Sequence, residues 1–496
     1  MSTLQLLPEV RAFLSQPGKL FIGGSWQAAR DGGDCPVENP ADLSIVNTVA
    51  RAGEADVNDA VAAAKAAFEG PWRQCSAVRR SLLMLRLAEL LEQHNEELAQ
   101  LITLENGKPI ANARGEAASA ANIIRYFAGW PTKIEGSTVP VSPASGNPML
   151  NYTLREPVGV CALIVPWNFP LTMCVWKLGP VLATGCTAIL KPAEQTPLVA
   201  IRLVQLVEAA GFPAGVVNLL TGQGSRIGSP LARHPDVDKI AFTGSTEVGR
   251  LIAQDATGNM KKVSLELGGK SPNIILPDAD IKRAAKGAAD GIFYNQGQVC
   301  TAGSRLYVHE SVLEPVLDEL SRHARSHVIG PGLDPATTLG PVVSLRQLNT
   351  VQGYLRRGVE EGAELICGGQ RPEHLEQGHF IEPSVFLDRQ ERACVAREEI
   401  FGPVLTVMSW SEPEELVARA NDSPYGLAAG LWTNDLRAAH RLAAQLKAGS
   451  VWINCWNVVD PASPFGGYKQ SGWGREMGKN VIDAYTETKS VYVDLA

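Results

Sequence analysis

From Val158 onward the chain alternates short, almost wholly apolar runs with segments long enough to form helices. The runs Val160–Val165, Ala188–Leu190, Val216–Leu220 and Ile240–Phe242 are each bounded by Gly or Pro. A strand that is apolar on successive residues, rather than on alternate ones, must be covered on both faces. Intervening segments such as Pro197–Ala210 can supply that cover. The pattern therefore predicts an α/β fold in which helices flank a parallel sheet. A second series of the same kind begins near Asn273 and runs to about Phe465. Two such series in 496 residues exceed a single core, so more than one domain is expected.

Upstream, Val57, Val61, Ala64 and Phe68 step along one face of a predicted helix over Glu54–Phe68. Leucine-rich sequence predicts another over Val78–Asn106, stopped by Asn106-Gly107-Lys108-Pro109. The composition then shifts. Between Gly136 and Pro157 the stretch STVPVSPASGNP is followed by the polar alternation of LNYTLRE, which reads as an exposed hairpin arm or linker. The tail, Ala484–Leu495, ends in the strand-like SVYVDL. There are no internal repeats.

A net charge of -7, with no block of Lys and Arg to offset it, argues against nucleic acid as a partner. The nine cysteines, at 35, 75, 161, 174, 186, 300, 367, 394 and 455, include no Cys-x-x-Cys pair. That spread fits reduced thiols better than a disulfide framework or a zinc site, and no metal is expected. MSTLQLLPEVRAFLSQ lacks a basic start and its apolar run is broken by Pro8, Glu9 and Arg11, unlike a secretory leader. No stretch approaches the ~20 apolar residues of a membrane span. A cytoplasmic protein is the expectation.

Several residues carry possible chemistry. Cys300 lies in FYNQGQVCTAGSR, where Gly297 and Gly303 allow a tight backbone that presents the sulfur and its own N–H. A lone cysteine is more often an inert small hydrophobe than a nucleophile. Glu266 ends an apolar strand just before Gly268-Gly269, a place for a partly buried general base or for an ordinary exposed acid. Asn168, between Pro166 and Pro170 and just past a buried-type strand, either donates to an oxyanion or fixes its own turn. Gly244, Ser245 and Gly249 follow a strand and open a helix, a seat for pyrophosphate, although the spacing is not Gly-x-Gly-x-x-Gly. Lys191 and Glu194 also follow a strand, as a surface ion pair or as ligands of ribose hydroxyls, and the carboxylate would repel a 2′-phosphate.

Taken together, these segments resemble the aldehyde dehydrogenase superfamily along essentially the whole chain. The matching blocks are PWNFP (166–170), KPAEQTP (191–197), FTGSTEVG (242–249), LELGGKSP (265–272), FYNQGQVCTAGSR (293–305), EEIFGPV (398–404) and SPFGGYKQSGWGRE (463–476). The resemblance implies a Rossmann-type cofactor domain (1–135 and 155–265), an α/β catalytic domain (266–465) and a small β oligomerisation arm (136–154 with 466–496). It implies Cys300 as nucleophile, Glu266 as base, and Asn168 with the Cys300 N–H as oxyanion hole, supported by Lys177. NAD would be held by Trp167, Lys191, Glu194, Gly244, Ser245, Gly249, Glu399 and Phe401. Relatives that pass the acyl group to coenzyme A generally lack a Glu at the position of Glu266, so hydrolysis to the acid is implied here.

Tunnel positions of the relatives correspond to Phe169, Met173, Trp176, Tyr294, Val299, Thr301, Trp456, Val459 and Phe465. That set is aromatic and uncharged, which points to an apolar or aromatic aldehyde. The N-terminal QLLPEVRAFLSQPGKLFIGG resembles bacterial phenylacetaldehyde dehydrogenases, so phenylacetaldehyde is the favoured substrate. A broad aliphatic aldehyde dehydrogenase is one alternative. A cysteine hydrolase is another, but it would leave the FTGSTEVG and KPAE blocks without a purpose. The family also implies a homo-oligomer, dimer or tetramer, with the arm in its interface.

Overall fold

The computed structural model describes residues 4–496. Residues 1–3, where the argument against a leader begins, lie outside the described residues. Each apolar run predicted above coincides, to within a residue or two, with a strand of one eight-stranded sheet. Val160–Ile164, Thr187–Lys191, Val217–Leu219, Lys239–Thr243 and Lys262–Glu266 pair in parallel. Alternate residues of one strand feed opposite cores, which is why the strand is apolar throughout. Cys161 and Leu163 enter the larger cluster, beneath the helices Ile110–Ala128 and Pro170–Thr184. Val160, Ala162 and Ile164 face the other way and join Val57, Val61 and Ala64 of the helix Glu54–Glu69.

Strand order reverses beside Val160–Ile164. The chain steps outward through Thr187–Lys191 and Val217–Leu219, then returns to the opposite flank as Lys239–Thr243 and Lys262–Glu266. Antiparallel edges close the sheet: Leu20–Ile22 with Ser25–Gln27 on one side, Gly472–Trp473 on the other. The second predicted series forms a seven-stranded sheet in the order Glu364–Cys367, Ser384–Leu387, Val404–Trp410, Arg305–His309, Pro272–Ile275, Ala428–Trp432, Ser450–Ile453. Its pairs are parallel except the first.

The predicted helix over 78–106 is two helices, Ala77–Gln93 and Asn95–Asn106. The break is at His94, whose backbone leaves the helical region (φ -101°, ψ 19°). Glu97 in the new first turn accepts from the Arg202 Nε at 2.7 Å and lies 2.7 Å from the His94 Nδ1. Buried leucines continue across the break, from Leu87 and Leu91 to Leu98 and Leu101, so periodicity could not reveal it. The stop at Gly107 is borne out, with that glycine in the left-handed region at φ 88°.

The arm is the expected hairpin: the Val139 N–H donates to the Asn151 carbonyl (3.1 Å) and the Thr153 N–H to the Ser137 carbonyl (2.8 Å). Its second strand, Met149–Pro157, pairs antiparallel along its full length with the tail strand Thr486–Asp494. Among the described residues no helix is long and apolar enough to cross a membrane.

Close approach of two helices over the first sheet depends on Gly179. A Cβ there would overlap the ring of buried Phe127. Gly179→Ala is expected to lower the unfolding free energy by about 1–3 kcal/mol. Gly115→Ala, on the exposed face of Ile110–Ala128 with nothing near its Cβ, is expected to raise it by about 0.5–1 kcal/mol. Denaturant unfolding of both variants checks the pair, and equal effects would refute the packing argument.

Candidate active site

Loops leaving the carboxyl ends of the parallel strands converge on one edge, and the strand reversal opens a crevice there. Asn168 stands in the loop after Val160–Ile164 and is 4% exposed. Its Nδ2 donates to the Gln298 carbonyl at 2.9 Å, which uses one of its two amide hydrogens. Its own carbonyl accepts from the Asn295 Nδ2 (2.9 Å) and the Lys108 Nζ (3.0 Å). Asn168 therefore links the first sheet to the segment that carries Cys300.

That segment is strained. Asn295 and Gln296 occupy the left-handed region at φ 50° and 57°, followed by Gly297 at φ 69°. A side chain on Gly297 would overlap the Gly402 carbonyl, so glycine is required both for conformation and for space. Gly303, the other glycine singled out beside Cys300, serves packing: its Cβ would sit 2.9 Å from the Trp456 ring. Trp456, expected in the tunnel, also lies against Gly291 and Gly430, supporting the Cys300 loop from below.

Cys300 is half-buried. Burial of its sulfur, with the charges of Glu266 and Glu399, pushes its thiol up to about 12, while backbone N–H groups of Thr301 and Cys300 pull it down. Glu266 is the last residue of its strand, and neither of its carboxylate oxygens has a hydrogen-bond partner among the described residues. Burial, then the neighbouring Glu476, hold its carboxyl well above the usual range, opposed by Lys177 and Arg475. Lys177, expected to support Asn168 and Glu266, instead pairs directly with Glu476 and reaches Glu266 only through its field. Glu476 was not singled out in the sequence. It lies in a matching block, but nothing local marks it as the partner of a lysine 299 residues away.

On the other side of the crevice, burial lowers Lys191 to about 8, opposed by the charge of Glu194. Glu194 accepts from the Gly224 N–H at 3.1 Å. The helix that follows this loop, Leu198–Ala209, has its first N–H groups held by the buried Glu105 (2.6 and 3.0 Å). Ser245 caps the helix Thr246–Asp255, accepting from the Val248 N–H, and leaves the other N–H groups of the first turn facing the edge. Gly249 is buried, and its missing Cβ makes room for Leu267, a packing role. Gly244 lies over the Phe242 ring in the same way. Glu399 accepts from the Gly269 N–H at 2.9 Å and is pushed up to about 7 by burial. A Cβ on Gly268 would overlap its carboxylate and one on Gly269 would overlap the Cys300 carbonyl, so the first glycine makes room for this acid and the second for the Cys300 loop. Trp167 meets Phe401 edge-to-face at 5.2 Å, with Phe401 in the left-handed region at φ 57°.

Among the expected tunnel residues, Phe169 stacks on Tyr294 (6.1 Å) and Trp176 meets Phe465 edge-on (5.0 Å). Met173, Val299 and Thr301 are buried and Val459 is exposed. The Thr301 hydroxyl donates to the Asn457 Oδ1 at 2.8 Å. Asn457, in the left-handed region at φ 54°, was missed because a single Asn in a turn carries no signal of its own.

The model of the aldehyde dehydrogenase family matches residues 26–491. The chain is 51% identical to the Bacillus subtilis protein named DhaS, over 99% of both chains. It is 48% identical to the phenylacetaldehyde dehydrogenase of Pseudomonas fluorescens, over 97% of this chain and 96% of that protein. An aldehyde dehydrogenase from Bacillus cereus, solved as its NAD+ complex, superimposes with a TM-score of 0.97 at 48% identity, and the match covers all of both chains. With that extent of agreement in sequence and fold, this chain is an oxidoreductase that belongs to the aldehyde dehydrogenase family.

Proposed function

We propose that the protein oxidises an apolar or aromatic aldehyde, phenylacetaldehyde first among them, to its carboxylic acid with NAD. The observation that carries the reading is Glu266: a buried carboxylate with both oxygens unpartnered, close enough to Cys300 to raise its thiol. Burying such a group without a partner costs free energy, so a functional use explains it better than a structural one. The Bacillus cereus relative was solved as its NAD+ complex. The donors here fit NAD: a buried Lys beside a Glu for ribose hydroxyls, a helix N-terminus for phosphate, and Glu399 beside Gly268-Gly269 for the second ribose.

In this reading the Cys300 thiolate attacks the aldehyde carbonyl. The resulting oxyanion accepts from the free Asn168 amide hydrogen and the Cys300 N–H, and losing one such donor costs ~3 kcal/mol. NAD, held by Lys191, Glu194, the start of the helix Thr246–Asp255 and Glu399, would supply the two-electron hydride acceptor that the oxidation to a thioester needs. Glu266 takes a proton from the water that attacks the thioester, which releases the acid and regenerates the Cys300 thiol. The stacked Phe169 and Tyr294, with Trp176 and Phe465, offer aromatic surface that favours an aromatic substrate over a short aliphatic one. The relative named for phenylacetaldehyde supports the same choice. We take the ribbon of 149–157 and 486–494, with Leu150, Leu154 and Tyr492 exposed, as the assembly surface of a dimer or tetramer.

Phenylacetaldehyde is expected to exceed acetaldehyde and betaine aldehyde in kcat/KM by about tenfold or more. NADH formation across that panel decides, and parity among the three would remove the aromatic assignment. Glu266→Gln is expected to retain a first-turnover burst of NADH, with steady turnover lowered by ~10²–10⁴-fold. Loss of burst and steady rate together would contradict a base that acts after oxidation. The same variant removes a negative charge that raises the Cys300 thiol. The pH midpoint for alkylation of Cys300 by iodoacetamide should therefore move down. An upward or absent shift would separate the two residues.

A further inference from the structure

The Asn106-Gly107-Lys108-Pro109 segment ends a helix, and its side chains also reach the loop that carries Asn168. The Asn106 Nδ2 donates to the Trp167 carbonyl at 2.9 Å. The Lys108 Nζ donates to the next carbonyl, that of Asn168, at 3.0 Å, and lies 4.3 Å from the centre of the Phe169 ring. Lys108 is 1% exposed and pairs with Glu116, itself 4% exposed. The second oxygen of Glu116 accepts from the N–H groups of Leu171 (3.0 Å) and Thr172 (3.1 Å), at the start of the helix Pro170–Thr184.

These contacts bracket Asn168. The carbonyls of residues 167 and 168 are held from one side, and the N–H groups of residues 171 and 172 are held by the carboxylate that pairs with Lys108. Two buried charges are costly where an apolar contact would suffice, and they persist where their hydrogen bonds fix a geometry. Here they fix the backbone on both sides of one amide side chain. We propose that Asn106, Lys108 and Glu116 are positioning residues that set the Asn168 amide for the oxyanion, an inference that rests on the role given to Asn168 above. None of the three touches the reacting atoms. Each acts through the loop, and Lys108 also through Phe169, which stacks on Tyr294 in the substrate pocket.

A double-mutant cycle tests this. Asn106→Ala and Lys108→Met are each made alone and in the Asn168→Ala background. Each alone is expected to lower kcat by about 10–100-fold, the scale of a misplacement near 1 Å. The Kd for NAD, read by tryptophan fluorescence, should stay within about twofold, and Lys108→Arg should recover part of the rate. In the Asn168→Ala background the further loss should shrink to about threefold or less, because the amide they position is gone. Equal losses in both backgrounds, or losses that follow a falling Tm, would overturn the proposal. Asn106→Ala removes one neutral hydrogen bond and keeps the test open if Lys108→Met fails to fold. Full activity of Asn168→Ala alone would instead sink the oxyanion reading itself.

Discussion

Five parallel strands covered on both faces leave the chain few places to put polar chemistry. Side chains within the strands must be apolar, so groups that bind or react collect where the strands end. Lys191 and Glu266 are each the last residue of a strand, and Asn168 and Ser245 follow within a few residues of others. The reversal of strand order beside Val160–Ile164 sends adjacent loops apart and opens the space that these residues share. The second sheet then closes that space from the opposite side, with Cys300 on its approach to Arg305–His309 and Glu399 on its approach to Val404–Trp410.

Enclosure sets the electrostatics of the crevice. Glu266, Glu399 and Cys300 are all shifted toward their neutral forms, and the largest cause in each is burial. Lys191 is shifted toward neutrality for the same reason. The interior thus disfavours the charged form of each of these groups, and small changes in what surrounds them can move their protons. Lys177 and Glu476 form the nearest fixed pair, and the two exert opposing fields on Glu266.

What could be read from the sequence follows from which signals are local. Wholly apolar runs bounded by Gly and Pro were legible as strands, and Gly107 as a helix end, because each records a backbone requirement at its own position. The break at His94 was hidden because the leucine stripe serves the same core on both sides. Cys300, Glu266 and Asn168 were visible as a set only through the ordered blocks in which they lie, and individually each had an ordinary explanation. Lys108, Glu116 and Glu476 were invisible as site residues, since their meaning lies in partners 60, 55 and 299 residues away. A charged residue in a helix or turn reads as solvated surface until the fold removes the solvent. Trp456 carries a meaning of the same distant kind: beside its expected place in the tunnel, it fills the space left by Gly291, Gly303 and Gly430.

The segment after Phe465 ties these parts together in time. Gly472–Trp473 closes the edge of the first sheet beside Glu266, Glu476 supplies the partner of Lys177, and Thr486–Asp494 completes the ribbon. Synthesis runs from the amino end, so all three arrive after every other strand of the two large sheets. Until then Lys177 has no counter-charge and the strand that ends in Glu266 has a bare edge. The surroundings of Lys177 and Glu266 are therefore complete only once the stretch from Gly472 to Asp494 is in place.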